Sequence, residues 1–238
     1  MTRPTALVVV APGTNRDRDV SVALDLAGAE PRTVLVDELV DSARLLDDVQ
    51  MVVVPGGFSH ADALGAGRVF ALTLTLRVGD RLRRFVDSGR PVIGICNGFQ
   101  TLVRAGLLPG ALGHNASGGF QCEWVTLDPQ PSHCIWTQQT QPFDCPIAHG
   151  EGRFVHPDLD ALAAAGQVAL RYRVDPNGSA RSVAGVCDAT GLVLGLMPHP
   201  ENHVLPRQHP LFTRGRRGPL GLQLFERGVR HVMELAPC

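Results

Sequence analysis

The chain has 238 residues, 44% of them hydrophobic and 19% charged, with a formal net charge of -1. That balance suits a soluble globular protein with a sizeable core, most simply one domain over residues 1–238. It leaves no electrostatic footprint for nucleic acid or an anionic membrane, and no apolar run approaches the ~20 residues that would span a bilayer.

The start, Met1-Thr2-Arg3-Pro4-Thr5, leads into a short apolar run rather than a secretion signal, so a cytoplasmic location is expected, with neither nucleic acid nor membrane as partner. Short apolar runs then alternate with longer amphipathic segments through the first half. This is the pattern of helices covering both faces of a mainly parallel, doubly wound sheet. Leu7-Val8-Val9-Val10 reads as the first buried strand, and residues 15–28 as a helix stopped by Gly28. Val34-Leu35-Val36 and Met51-Val52-Val53-Val54 read as the next strands, with a helix or turn over 42–46 between them. Residues 56–67, rich in glycine and small side chains, form a loop where doubly wound folds place ligands.

A long helix is expected over 69–86, a buried strand over Pro91-Val92-Ile93-Gly94-Ile95, and a helix over 98–105 with Gly106 as its stop. Beyond Phe120 the texture changes to alternating and β-branched runs. Residues 124–127, 168–172, 183–186 and 192–196 read as added strands with antiparallel members, interrupted by a helix near 158–165. Residues 206–219 form a polar loop carrying Arg207, Arg214, Arg216 and Arg217, and a helix over 220–235 follows.

Every basic residue is arginine, which excludes a lysine nucleophile or Schiff base. Cys96, Cys122, Cys134, Cys145, Cys187 and Cys238 are scattered without metal-ligand spacing, so no metal is expected and most should be small buried hydrophobes. Cys96 alone has a chemical context. Ile93-Gly94-Ile95-Cys96-Asn97-Gly98-Phe99-Gln100 places glycine two residues to either side of a cysteine at a strand-to-helix turn, the arrangement of a nucleophile elbow. There the N-H groups of the following helix lower the thiol pKa and offer oxyanion donors. Taken alone, the segment also fits a buried cysteine ending a core strand.

Met197-Pro198-His199-Pro200-Glu201 follows another strand. Proline biases the residue before it toward extended backbone, and side chains at i and i+2 of an extended chain share a side. His199 and Glu201 would then be presented together as a general base and its orienting carboxylate, although a surface proline turn has the same composition. Pro55-Gly56-Gly57, at the end of a third strand, lets backbone N-H groups approach a ligand and equally suits a simple turn.

Pro-Gly-Gly, Gly-x-Cys-x-Gly-x-Gln and Pro-His-Pro-Glu in this order resemble the class I, triad-type glutamine amidotransferases of flavodoxin-like fold. Within them the chain most resembles the glutaminase subunits of phosphoribosylformylglycinamidine synthases. Residues 12–17, 56–59, 94–100, 106–110, 148–152, 177–179 and 195–201 carry the likeness. The resemblance implies a catalytic triad of Cys96, His199 and Glu201, with the backbone at Gly56, Gly57 and Asn97 stabilising an oxyanion. It also implies that Gln100, His149 and Gly150 lie against the glutamine substrate. On sequence grounds Gln100 could equally be a helix-surface residue and His149 a loop residue. The implied partners are a synthase subunit and a small third subunit, with ATP and magnesium on the synthase and no cofactor in this chain.

The chain departs from the family pattern at His60, Ala61, Ala63, Gly65, Gly119 and Glu123. After Gly-Gly-Phe-Ser the family usually has Tyr-Gly-Asp-Tyr-Leu-Arg-Ala-Gly, and two basic residues usually follow its Asn-x-Ser segment. These changes keep two alternatives open, service to a different synthase and a non-enzymatic interaction subunit; a hydrolase that shares the cysteine elbow, such as a γ-glutamyl peptidase or a protease-like α/β protein, is a third reading. The arginines of 214–217 are either a docking patch or a solvated loop.

Overall fold

The computed structural model describes residues 3–235, so residues 1–2 and 236–238, Cys238 among them, lie outside the described residues. Strands β1 (Thr5–Val10), β2 (Glu30–Leu35), β3 (Met51–Val54) and β4 (Val92–Ile95) are the runs of the first half. Every residue of β3 and β4 is buried, as expected for strands covered on both faces. The second half supplies β5 (Ala111–Gly113), β6 (Gln121–Pro129), β7 (Phe143–His149), β8 (Arg153–Val155), β9 (Val168–Tyr172), β10 (Val183–Cys187) and β11 (Val193–Leu196).

One nine-stranded sheet runs in the order β2-β1-β3-β4-β11-β10-β9-β6-β7. Its first five strands are parallel and the remainder antiparallel. The chain moves outward from β1 to β2, then crosses to β3 on the other side of β1. A crevice therefore opens between the ends of β1 and β3, where Thr14 bridges Gly57.

Helix α1 (Asp17–Ala27) carries Asp17 and Asp19 in its first turn, where carboxylates complement the helix dipole, and ends at Gly28 with φ 96. The strand expected at 34–36 is corrected. Strand β2 begins at Glu30, and Val36 opens the short helix α2 (Val36–Asp41), whose Glu38 carboxylate accepts the Leu35 N-H at 3.0 Å. Apolar content alone could not separate a strand's end from a helix's first buried residue. The long helix over 69–86 is likewise interrupted. Helix α3 (Arg68–Thr73) passes through a π turn at Leu74–Val78 into α4 (Gly79–Asp87).

Helix α5 (Asn97–Arg104) is joined to β4 by Cys96 alone, α6 (Leu159–Ala164) is capped by the Asp158 carboxylate on the Ala161 N-H, and α7 (Leu222–Leu235) packs against α1. Strand β7 had escaped sequence reading because Pro146 interrupts it. Its alternation is nonetheless clear, with Phe143, Cys145, Ile147 and His149 buried, and as the sheet's edge strand it tolerates a residue that cannot donate. Cys134, Cys145 and Cys187 are buried as expected, whereas Cys122 is exposed. Among the described residues no helix is long and apolar enough to cross a membrane.

Candidate active site

Three neighbouring parallel strands deliver the site. β3 runs into Pro55-Gly56-Gly57, β4 runs into Cys96, and β11 ends three residues before His199. Because β4 lies between the other two, the cysteine has the glycine turn on one side and the histidine on the other.

Cys96 adopts φ 51 and ψ -106, a conformation that costs an L-residue about 1–3 kcal/mol. The surrounding glycines make it possible. A Cβ on Gly94 would lie 2.7 Å from the Gly98 carbonyl oxygen, and one on Gly98 would overlap the carbonyl oxygen of Val54. Hydrogen bonds hold the elbow on both sides, from Cys96 N-H to Leu196 O at 2.8 Å and from Gln100 N-H to Cys96 O at 3.0 Å. The first N-H groups of α5, starting at Asn97, have no carbonyl four residues back within the helix and supply the positive end of its dipole beside the thiol.

His199 donates its backbone N-H to Pro146 O of β7 at 2.8 Å, and its Nδ1 lies 2.7 Å from Glu201 Oε1. The two side chains are paired, but not by extended chain as expected. Pro200–Asn202 forms a single turn of 3-10 helix, so the carboxylate curls back to the ring. Proline's fixed φ suits the first position of such a turn. Gly56 is where histidine and cysteine converge: a Cβ there would lie 2.8 Å from His199 Cε1 and 3.3 Å from Cys96 Cβ.

Burial opposes charge on His199, but Glu201 and Cys96 outweigh it and raise the imidazole pKa to about 10. The site therefore favours an imidazolium, with Nδ1 on Glu201 and Nε2 left for the Cys96 sulfur. The same burial, with His199 close by, lowers His149 to about 4. One histidine of the site holds its proton at neutral pH and the other stays neutral.

A cavity of about 170 Å³ opens on Cys96, lined by Gly57, Gln100, His149, Gly150 and Phe120 among others. Gln100 is not a helix-surface residue; it is buried, accepting from Asn97 Nδ2 at 3.2 Å and donating to Glu151 O at 2.5 Å. Nor does His149 lie in a loop; it is the buried last residue of β7. Asn97 contributes more than a backbone N-H, because its side chain also binds Ser59 and Asp62.

Sequence reasoning had not singled out Asn115, Asp62 or Glu151 as site residues. Asn115 lies in the Asn-x-Ser segment and bonds to His149, while Asp62 and Glu151 line the cavity. Of the departing positions, Gly119 accepts from Asn115 at 2.9 Å and Glu123 is exposed on β6. Arg216 pairs with Asp144 at 2.6 Å and Arg217 covers the Phe212 ring at 3.9 Å, both on an exposed surface. Among the described residues no group of three or more His, Cys, Asp or Glu is placed to hold a metal ion.

Residues 3–232 match the CobB/CobQ-like glutamine amidotransferase domain. The phosphoribosylformylglycinamidine synthase subunit PurQ of Treponema denticola is 43% identical, covering 97% of this chain and 100% of its own. The PurQ subunit of Dehalococcoides mccartyi is 39% identical, covering 99% and 100%. Among solved structures, a chain of PurLQS from Thermotoga maritima superposes with a TM-score of 0.78 at 37% identity, covering 98% of this chain and 99% of that one. A Thermotoga maritima glutamine amidotransferase at 14% identity, with a TM-score of 0.59, shares the fold, covering 98% and 99% of the two chains. The chain belongs to the CobB/CobQ-like glutamine amidotransferase family and, within it, to the PurQ subunits of phosphoribosylformylglycinamidine synthase.

Proposed function

We propose that the chain hydrolyses glutamine to glutamate and ammonia and passes the ammonia to an ATP-dependent synthase subunit that converts formylglycinamide ribonucleotide to formylglycinamidine ribonucleotide. The carrying observation is the convergence of Cys96 and His199 on Gly56, with Glu201 bound to the far side of the imidazole.

In this reading the Cys96 thiolate attacks the side-chain amide carbon of glutamine. Backbone N-H groups at Gly57 and Asn97 take the oxyanion. His199 gives its proton to the departing nitrogen, so the C-N bond breaks, ammonia leaves and a γ-glutamyl thioester remains. His199 then removes a proton from water, whose oxygen attacks the thioester; glutamate departs and the thiolate returns. Glu201 orients the ring and stabilises its charged form. Gln100 and the His149-Gly150 segment form the substrate wall. All of these steps run on the chain's own side chains and backbone, with no cofactor; ATP and magnesium belong to the synthase.

Free ammonia is mostly protonated in neutral water and lost as a nucleophile, which is the reason for coupling to a partner. The PurQ names of the relatives and the Thermotoga maritima PurLQS complex support docking on a synthase subunit together with a small third subunit; a cytoplasmic location is part of the same proposal.

The test is glutamate release from glutamine by the purified chain, alone and with its synthase subunit. Partner-enhanced release that disappears in Cys96→Ala is expected. Wild-type activity in that variant, or no release in any combination, overturns the reading.

A further inference from the structure

Arg104 belongs to two sites at once. Helix α5 carries Asn97, Gln100, Thr101 and Arg104 on one face, at the three- and four-residue spacing that stacks side chains along a helix. Asn97 follows the nucleophile, and Gln100 donates to the Glu151 carbonyl oxygen at 2.5 Å in the wall of the Cys96 cavity. One turn further on, the Arg104 guanidinium lies 3.6 Å from the carboxylate of the same Glu151. Arg104 also lines a groove of about 480 Å³ outside the cavity, together with Leu64, Arg68, Val69, Ala71 and Leu72.

The loop between groove and cavity is fixed on α5 at both ends. Asn97 binds Ser59 and Asp62, and at Gly67, with φ 71, a Cβ would lie 2.8 Å from Thr101 Oγ1. Between these anchors the groove is open. Leu64 and Leu72 are 65% and 58% exposed, and with Val69 and Ala71 they make its lining mostly apolar. Its charged lining, among the described residues, is Arg68 and Arg104. Past Leu72 the surface turns acidic at Asp37 and Asp41, so the basic end is the one beside the cavity. Clustered exposed leucines favour a covering surface, and the guanidiniums favour one that brings a carboxylate. At 3.6 Å the Arg104–Glu151 pair is longer than a charge-assisted hydrogen bond, which leaves N-H groups for a further acceptor.

We propose that this groove seats an apolar, carboxylate-bearing segment of the synthase subunit, and that Arg104 couples its arrival to the glutaminase site by holding that carboxylate on one side and Glu151 on the other. This rests on the reading of the chain as a coupled glutaminase. A guanidinium has enough N-H donors to serve two carboxylates together. With the groove empty, an ion pair between partly exposed groups is weak. With it filled, Arg104 is desolvated and fixed, and it holds Glu151, and through the Glu151 backbone Gln100, in one arrangement. The partner favours that ordered wall because it binds it better, and an ordered wall positions glutamine for attack. Ammonia is then released fastest when its consumer is docked.

The experiment measures the Kd of the full chain for its synthase subunit, and glutamate release with and without that subunit, in the wild type, Leu72→Asp, Arg104→Gln and Arg104→Lys. Leu72→Asp sets a carboxylate on the exposed apolar face. Its Kd should weaken about tenfold or more, while release by the isolated chain stays unchanged. Arg104→Gln should cut the partner's enhancement about tenfold, chiefly through kcat, and flatten the salt dependence of the Kd. Arg104→Lys keeps the charge without the forked donors, so it should restore the salt dependence and not the enhancement.

A wild-type Kd in Leu72→Asp overturns the proposal. So does self-association of the isolated chain, seen in sedimentation velocity, that Leu72→Asp abolishes, because the groove would then hold a second copy. Full enhancement in Arg104→Gln, or a wild type whose release the synthase leaves unchanged, overturns the coupling. A wild-type chain that binds the synthase and releases no glutamate with or without it removes the glutaminase reading instead, so the two failures are distinguishable.

Discussion

Ser59 Oγ donates to Asn97 Oδ1 over 2.6 Å, and this bond ties the loop after β3 to the first residue of the helix that follows the nucleophile. Asn97 Nδ2 extends the link to Asp62 at 3.1 Å and to Gln100 at 3.2 Å. The loop bearing His60, Ala61, Ala63 and Gly65 is therefore docked on α5 despite its altered sequence. Gly65 leaves room beside Arg104, whose guanidinium nitrogen is 3.9 Å from where a Gly65 Cβ would stand and 3.6 Å from the carboxylate of Glu151 in the cavity wall.

Replacing Glu201 by Gln should lower kcat about 10²- to 10⁴-fold, because the charge that orients and stabilises the imidazolium is removed. His199 should lose its elevated pKa, which imidazole titration by NMR would report. The linked stability has a definite sign. A folded pKa of about 10 against 6.5 means the contribution is full below about pH 6.5 and is lost as pH rises through about 10. Urea unfolding across alkaline pH should show this loss in the wild type and a flatter curve in Glu201→Gln.

His149 has the opposite sign. Its folded pKa of about 4 lies below 6.5, so the unfolded chain binds the proton more readily, and stability falls as pH drops from about 6.5 to about 4. For this buried ring the loss should be on the order of 2–3 kcal/mol by pH ~4.5. His149→Phe should reduce that part of the acid loss in urea unfolding at pH ~7.5 and ~4.5; an unaltered slope would refute the assignment.

Ala61 sits at φ 54, where the family pattern has glycine. An L-side chain is strained there, and Ala61→Gly should stabilise the protein by roughly 0.5–1 kcal/mol after allowing for glycine's greater entropy loss. For a chain of this size that is a rise in Tm of about 1–4 °C, measurable by calorimetry.

Gly98→Ala should be among the most damaging single-methyl additions in the chain. The new carbon would overlap the Val54 carbonyl oxygen, and both neighbours are backbone of central elements. A loss of at least about 3 kcal/mol, with activity abolished, is expected. Gly113→Ala is the control, because nothing lies within 4 Å of its Cβ position. Denaturation midpoints that move equally in the two variants would contradict this account of the elbow.

The sequence by itself determined the features that depend on a few adjacent residues. Gly94 and Gly98 flank Cys96 at the spacing of a sharp strand-to-helix turn, and prolines on both sides of His199 place it in one short segment with Glu201. The i, i+2 geometry inferred for that segment was wrong in form, since a 3-10 turn makes the pairing, because one proline constrains the residue before it and also starts a helical turn.

Only the tertiary structure decided the rest. That β4 lies between β3 and β11 brings Gly56, Cys96 and His199 together across more than a hundred residues of chain, and strand order follows from sheet packing that no local pattern encodes. Strand β7, hidden by Pro146, proved to hold both the His199 backbone and the His149 ring. Asn115, 34 residues before His149, turns its amide oxygen toward that ring's Nδ1. Side-chain burial and tautomer are set by what the fold packs around a residue, and that is why Gln100 and His149 could be named from the sequence while their environments could not.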